Sequence, residues 1–181
     1  YGAFPLANSL DHIGPMTRSV EDAARMLSVI AGYDKNDPTS VDAPVANYLA
    51  DMSSLSDVHT STFDFSQVRV GIDWDYVTDG VDKEVVDVIR TKVNDLAGRG
   101  AQICPISMPA GYKILASGWV LTTGRECAKA HAEFFPAKKA LYGPDLSALI
   151  ELGNRVSEAD YAHLQAVRQQ FTVQMEEALA D

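Results

Sequence analysis

Cys127 and His131 are the first residues to test for chemistry, because they lie four positions apart in a helical stretch. That spacing places two metal ligands on one helix face. A protein zinc site typically takes about four ligands, and the sequence contains neither an H-E-x-x-H motif nor paired C-x-x-C motifs. Glu126 and Glu133 are expected to project elsewhere on the helix. We therefore predict no metal site and no cofactor.

A serine nucleophile is the second chemistry to consider. Such a serine needs a base beside it and a backbone that exposes its hydroxyl group. Ser107, Ser117 and Ser147 lack the glycine-rich surroundings that would expose them, so helix capping and polar packing explain them better. We predict that this chain holds no catalytic residue of its own.

The composition of the chain is that of an ordinary globular protein. It has 181 residues, of which 46% are apolar and 22% charged. The net charge of −10 argues against direct nucleic-acid binding, which requires clustered Lys and Arg. There is no long apolar run and no signal-peptide pattern, so we predict no membrane span and a cytoplasmic location. Because residue 1 is Tyr rather than Met, we expect the natural N-terminus to be missing.

Two cysteines are too few for a disulfide framework. Cys104 and Cys127 both have apolar neighbours in the sequence, and a free cysteine is among the residue types most often buried. We predict two buried free thiols.

The first element that the sequence predicts is a helix. Ser19-Val-Glu-Asp22 resembles a capping box, apolar residues follow at helical spacing, and Gly32 is placed to end the helix. Residues 33–67 are polar and broken by prolines, which indicates a surface excursion with a short helix near Val45–Met52.

A βαβ unit is predicted next. Val68–Ile72 and Ala101–Ile106 have strand patterns, and residues 82–98 between them carry a helical pattern after a turn at Thr78–Gly80. A crossover of this length implies a right-handed parallel pair. Two strands are marginal alone, so we expect further strands from elsewhere and an exposed sheet edge.

The remainder is predicted to be helical. One helix should cover Lys113 to about Phe134 and be broken by Pro136, and a second should follow Asp145 and end at Gly153. Ser157 opens a last capping box. The fold class is therefore α/β, a helix-rich fragment in three segments: a loop–helix–loop part (1–67), the βαβ unit (68–109) and a helical part (110–181).

The stretch from Ser9 to Gly32 reads SLDHIGPMTRSVEDAARMLSVIAG. It resembles the "SLDxxGPxxRSVxDAAxxLxxIAG" segment of the amidase-signature family. The residues from Asp34 to Ser40 are similar to the family's "DxxDPTS" run, and Val68–Ile72 resembles its "rIG" strand. The "SEADYxxxxxxR" run that ends at Arg168 resembles a late helix of the family.

This resemblance implies an α/β/α fold with a mixed sheet flanked by helices, of which this chain would form one partial domain. It also implies amide hydrolysis by a serine nucleophile, with a second serine on a cis peptide that relays protons to a lysine. The family's "GGSSGGSA" and "GGSIR" motifs do not occur in the chain. Tyr1-Gly2 resembles the end of the family's "KPTYG" run, so we expect the Ser-cisSer-Lys triad to lie upstream of this chain.

The resemblance also suggests substrate-binding residues. In the A-type subunits of amidotransferases, an arginine at the position matching Arg168 contacts the carboxylate of glutamine; the alternative is a helix arginine paired with a nearby acid. Trp119 and Tyr161 are candidates to line an acyl pocket, although core packing would explain both. Asp11 and Arg18 are expected to be structural residues near the site, Asp11 bracing a turn and Arg18 forming an ion pair.

The whole protein is accordingly predicted to be an amidase for carbon–nitrogen bonds other than peptide bonds. Its expected partners are a small-molecule amide and the remainder of the amidase domain, and a homodimer is left open. Two alternatives remain: the A-type subunit of a glutamyl/aspartyl-tRNA amidotransferase, which would act as a glutaminase, and a non-catalytic binding or assembly module.

Overall fold

A computed structural model describes residues 2–50 and 63–180 of the chain. The chain divides into two compact units: the first comprises Tyr1–Phe4 and Asp11–Phe63, and the second comprises Pro5–Leu10 and Asp64–Asp181. The helices are α1 (Val20–Ile30), α2 (Trp74–Thr78), α3 (Lys83–Gly98), α4 (Tyr112–Ala130), α5 (Phe135–Lys138), α6 (Pro144–Gly153) and α7 (Glu158–Leu179), and the strands are β1 (Arg69–Ile72) and β2 (Gln102–Pro105).

Helix α1 is the main element of the first unit. The Ser19 hydroxyl accepts the backbone N–H of Asp22 at 3.1 Å, and the helix gives way at Gly32, whose φ of +136° strongly favours glycine. This confirms the helix predicted from the capping box. Residues 48–50 are helical, so the short helix predicted near Val45–Met52 begins later than expected, and positions 51–52 lie outside the described residues.

The predicted βαβ unit is confirmed in the second unit. Strands β1 and β2 pair in parallel, with Arg69 opposite Gln102 and Ile72 opposite Pro105. Helix α3 connects the two strands and buries Val86 and Val93. Within the described residues the sheet consists of β1 and β2, so each strand keeps one edge that no described strand covers.

Helix α2 is absent from the sequence prediction, which placed only a turn at Thr78–Gly80. Asp73 begins this helix, because its carboxylate accepts the N–H of Tyr76 at 3.0 Å. The same carboxylate accepts the N–H of Met108 at 2.6 Å. These backbone hydrogen bonds hold the pKa of Asp73 below its usual value.

The helical part departs from the prediction at one boundary. Helix α4 ends at Ala130, with His131 as its C-cap, rather than near Phe134. Pro136 does not break it; this proline lies in the first turn of α5. A proline is tolerated there because the first helical N–H groups have no partner within the helix. Helix α6 ends at Gly153 and α7 begins after Ser157, as predicted.

Close helix contacts build the core of the second unit. Helix α4 packs against α6 and α7, and one cluster of this core contains Cys127, Ala128, Phe135 and Ile150. Both cysteines are free, but only Cys127 is buried, so the prediction was wrong for Cys104, which is half-buried. The reason is that Cys104 lies on β2 of a sheet that has two strands among the described residues. No helix in the described part of the chain is long and apolar enough to cross a membrane.

Candidate functional site

The site is built around residues 5–10, a short N-terminal segment that belongs to the second unit. We call it the N-terminal anchor. Ala7 is 1% exposed within it. The carbonyl oxygen of Pro5 lies 2.9 Å from Nε2 of His131, and because a carbonyl only accepts, Nε2 carries the proton. In the neutral ring, Nδ1 of His131 then accepts the hydroxyl proton of Tyr142, with 3.0 Å between the nitrogen and the oxygen.

Both imidazole nitrogens of His131 are thus used in hydrogen bonds that hold the chain. Cys127 is fully buried and packs in the core. Among residues 2–50 and 63–180, no group of three or more His, Cys, Asp or Glu could hold a metal ion.

The carboxylate of Glu126 is the centre of the site. It is 8% exposed on helix α4. Its Oε2 accepts the backbone N–H of Ser9 at 2.8 Å, and its Oε1 accepts the Ser9 hydroxyl at 2.5 Å. The hydroxyl of Tyr161, on helix α7, donates to the same Oε1 at 2.8 Å. A buried carboxylate is tolerated when its oxygens are hydrogen-bonded in this way.

Arg168 holds Ser9 from the other side. Its Nη1 donates to the Ser9 hydroxyl oxygen and its Nη2 to the Ser9 carbonyl oxygen, both at 2.9 Å. Arg168 and Tyr161 are seven residues apart, or about two helical turns, and therefore share one face of α7. We call Ser9, Glu126, Tyr161 and Arg168 the Ser9 clamp.

Electrostatics keep the phenol of Tyr161 protonated. Burial, together with the hydrogen bond to Glu126 and the negative charge of Glu126, raises the pKa of Tyr161 to about 12. The hydroxyl group therefore remains a hydrogen-bond donor throughout the physiological pH range. This matters for the clamp because Glu126, as a carboxylate, can only accept.

A cavity of about 380 Å³ adjoins the clamp, within the size range of small-molecule sites. It is lined by Asn8, Ser9, Glu126, Lys129, Ala130 and Tyr161. These side chains offer hydrogen bonds, the negative charge of Glu126 and the positive charge of Lys129. The Ser9 hydroxyl donates to the Glu126 carboxylate, but Arg168 also holds that hydroxyl and the Ser9 carbonyl oxygen, so these contacts hold the chain in place. The arrangement can bind and orient a small molecule but does not explain bond cleavage.

The structure brings together two of the predicted site residues, Tyr161 and Arg168. Trp119 lies on α4 and is 57% exposed, and it does not line this cavity. Asp11 and Arg18 belong to the first unit and are both exposed.

Sequence reasoning missed Ser9 as a clamp residue and set Glu126 aside as pointing away. The signal for Glu126 was available in its neighbourhood. Glu126 directly precedes Cys127 and Ala128, two residues of types that are often buried. A glutamate in such a stretch of helix can be partly buried itself, and buried acids are almost always paired. Its partner is 117 residues away in sequence, so no local pattern could name Ser9.

Comparisons with known proteins agree with this picture. The family model described as Amidase matches residues 1–181. An amidase of Pseudomonas putida is 34% identical over 167 residues, covering 92% of this chain and 34% of that protein. The A-type subunit of the glutamyl-tRNA(Gln) amidotransferase of Akkermansia muciniphila is 31% identical, covering 89% of this chain and 32% of that protein.

Solved structures show the same fold. A crystal structure of an amidase superposes with a TM-score of 0.71 at 22% identity, over 98% of this chain and 35% of that one. A peptide amidase in complex with chymostatin superposes with a TM-score of 0.64 at 21% identity, over 94% of this chain and 38% of that one. The chain spans about a third of the length of the curated relatives it matches. By sequence and by fold, it belongs to the amidase-signature family.

Proposed function

We propose that the whole protein of which this chain is a part hydrolyses carbon–nitrogen bonds of amides other than peptide bonds. The observation that carries this proposal is the match of all 181 residues to the amidase family. Since the chain spans about a third of its relatives, we propose that the Ser-cisSer-Lys triad lies outside it, on the N-terminal side. The lysine would act as a base only when deprotonated, which burial favours.

In this proposal the chain supplies one wall of the substrate site. Tyr161 is the best supported of the predicted contacts, because it lines the cavity beside Glu126. Arg168 already places both terminal nitrogens on Ser9, which supports a role in holding that wall. Trp119 offers an exposed aromatic face for an acyl group. Asp11 and Arg18 are proposed to support the site structurally.

The test is an activity assay on the intact product of the gene that encodes this chain. We expect it to release ammonia or amine from simple aliphatic and aromatic amides. Replacing by alanine the nucleophilic serine of a Gly/Ser-rich stretch upstream of Tyr1 should abolish turnover. Failure to hydrolyse any amide or ester in a broad panel would contradict the proposal, as would the absence of such a stretch.

A second candidate function is favoured by several relatives that are A-type subunits of amidotransferases. One from Oleidesulfovibrio alaskensis is 39% identical over 121 residues, covering 67% of this chain. In that case the protein would release ammonia from glutamine for a tRNA-linked acyl group. Glutaminase activity that appears only with partner subunits would support this candidate, and partner-independent hydrolysis of other amides would exclude it.

We also propose that the protein resides in the cytoplasm, where free thiols such as Cys104 and Cys127 stay reduced. Its proposed partners are the remainder of the amidase domain and a small-molecule amide, with no direct contact to nucleic acid or membrane. Cell fractionation with an antibody against the intact protein tests the location, and recovery in the extracellular fraction would contradict it.

A further inference from the structure

We infer that Glu126 is a positioning residue, which with Arg168 clamps Ser9 and so fixes where the N-terminal anchor is held against helices α4 and α7. The inference rests on the proposed function, because the residues to be positioned are those of the amide-hydrolysing centre. It assigns to a buried glutamate a role in turnover that is exerted through Ser9.

Hydrogen bonds reach every polar group of Ser9. Its N–H donates to Glu126, its carbonyl oxygen accepts from Arg168, and its hydroxyl group bridges the two. All three polar groups of one residue are therefore held by side chains from two different helices.

Ser9 also lies near the end of the anchor. The anchor occupies residues 5–10, and the chain passes to the first unit after Leu10 and before Pro5. Ser9 is therefore held one residue before a point where the chain leaves the second unit. Pro5, at the other end, is held by His131. Both ends of the anchor are fixed to the helical part.

The anchor is also joined to the cavity. Tyr161, which lines the cavity, shares Oε1 of Glu126 with the Ser9 hydroxyl. In the proposed function, the catalytic residues precede Tyr1 in the chain and are therefore connected to this anchor through residues 1–4. Glu126 thus links the segment that leads to the catalytic residues with the wall that receives the substrate. Misplacement by about 1 Å can cost roughly 100-fold in rate.

The chemistry of Glu126 makes the inference specific to a carboxylate. Each of its contacts is an acceptor contact, to N–H or O–H donors. Glutamine has the same size but replaces one acceptor oxygen by an NH₂ group, which donates only. Glu126→Gln must therefore either place its NH₂ group against the Ser9 N–H or turn the Ser9 and Tyr161 hydroxyls from donors into acceptors. Either arrangement weakens the clamp without opening a cavity.

The experiment uses the intact protein with Glu126→Gln, and with Glu133→Gln as the matched control. Glu133 is exposed, just past the end of α4. Two measurements are made. The first is hydrogen exchange in a peptide that covers residues 5–10. The second is amide hydrolysis, which gives KM and kcat; kcat is calculated per active site, and the active sites are counted by titration with an acylating ester. For Glu126→Gln we expect about tenfold faster exchange of the peptide, and kcat lower by about 10- to 100-fold with KM within about threefold. Glu133→Gln should change neither.

A merely structural role predicts something different: a lower melting temperature, but an unchanged kcat per titrated site. That result would overturn the inference, as would unchanged exchange in residues 5–10. The double variant Ser9→Ala/Glu126→Gln should have a kcat only slightly lower than that of Glu126→Gln alone, because both changes weaken the same contact. Fully additive losses would also overturn it.

If Glu126→Gln does not fold, Arg168→Lys is used instead. Arg168 is half-buried, and lysine keeps its positive charge but cannot donate from two nitrogens at once. The same results are expected, and the same results would overturn the inference. If the unmodified protein hydrolyses no amide, the proposed function fails, whereas the exchange measurement still decides whether the clamp fixes the anchor.

Discussion

Gly153 crosses Gly124 so closely that a Cβ atom on Gly153 would lie 1.7 Å from the carbonyl oxygen of Gly124. This contact joins helix α6 to helix α4, the helix that carries Glu126. A backbone oxygen cannot rotate away as a side chain can. The approach of the two helices therefore depends on the missing side chain at position 153.

Gly153→Ala should lower the free energy of unfolding by at least about 3 kcal/mol, the upper part of the range for overpacked cores. Denaturant unfolding of the intact protein measures this. Gly98→Ala is the matched control, because a Cβ there meets nothing within 4 Å, and helix propensity should make it neutral or slightly stabilising. Equal effects of the two changes would show that the crossing is looser than described.

Ser157→Ala should destabilise the protein by about 1 kcal/mol. The Ser157 hydroxyl accepts a hydrogen bond from the N–H of Asp160 at 3.0 Å and donates one to the Asp160 carboxylate at 2.6 Å. Alanine loses both hydrogen bonds. A shift of the denaturation midpoint is the measurement. Ser117→Ala, at an exposed position within α4, should cost less than about 0.5 kcal/mol. A larger loss at Ser117 than at Ser157 would contradict the capping role.

His131→Phe should cost about 2–4 kcal/mol, because it leaves the Pro5 carbonyl and the Tyr142 hydroxyl without their shared partner. The melting curve of the intact protein reports this loss. His163→Phe is the control at an exposed position of α7, where a small effect is expected. A tolerated His131→Phe would indicate that the anchor is held mainly by Ser9.

Alkaline pH should weaken the fold through Tyr161. Its pKa is about 12 in the folded state, above the usual 10.0, so the folded state binds this proton more tightly than the unfolded state. The corresponding stability is fully present below about pH 10 and is lost as the pH rises through about 12. Denaturant unfolding between pH 9 and pH 12 measures the slope.

Tyr161→Phe should flatten that slope, whereas Tyr33→Phe, at a position that is 57% exposed, should leave it unchanged. An identical pH dependence in the two variants would rule out Tyr161 as its source.

Local signals explain which parts of the fold could be predicted. Ser19 and Ser157 each accept an N–H three residues later, and such a contact is visible as a sequence pattern. The βαβ unit follows from strand and helix periodicities around Gly98 and Gly100. A short helix such as α2 offers less than two turns of pattern, and its start depends on Asp73.

Non-local contacts explain what could not be predicted. The residue at the end of α4, His131, contacts Pro5, 126 residues away in sequence. The partners of Glu126 could not be predicted for the same reason, since Ser9 and Tyr161 lie in other segments. Arg168 was predicted as a binding residue from family resemblance, yet its contact with Ser9 appears only in three dimensions.

The separation between Ser9 and Arg168 also has a consequence for biosynthesis. The two residues are 159 positions apart, and a ribosome adds about 5–20 residues per second. Roughly 8 to 30 seconds therefore pass between the appearance of the serine and that of its arginine partner. Ser9 is among the first residues of this chain to be translated, yet its hydrogen bonds to Arg168 are among the last to form. During that interval the segment around Ser9 is accessible to proteases and chaperones.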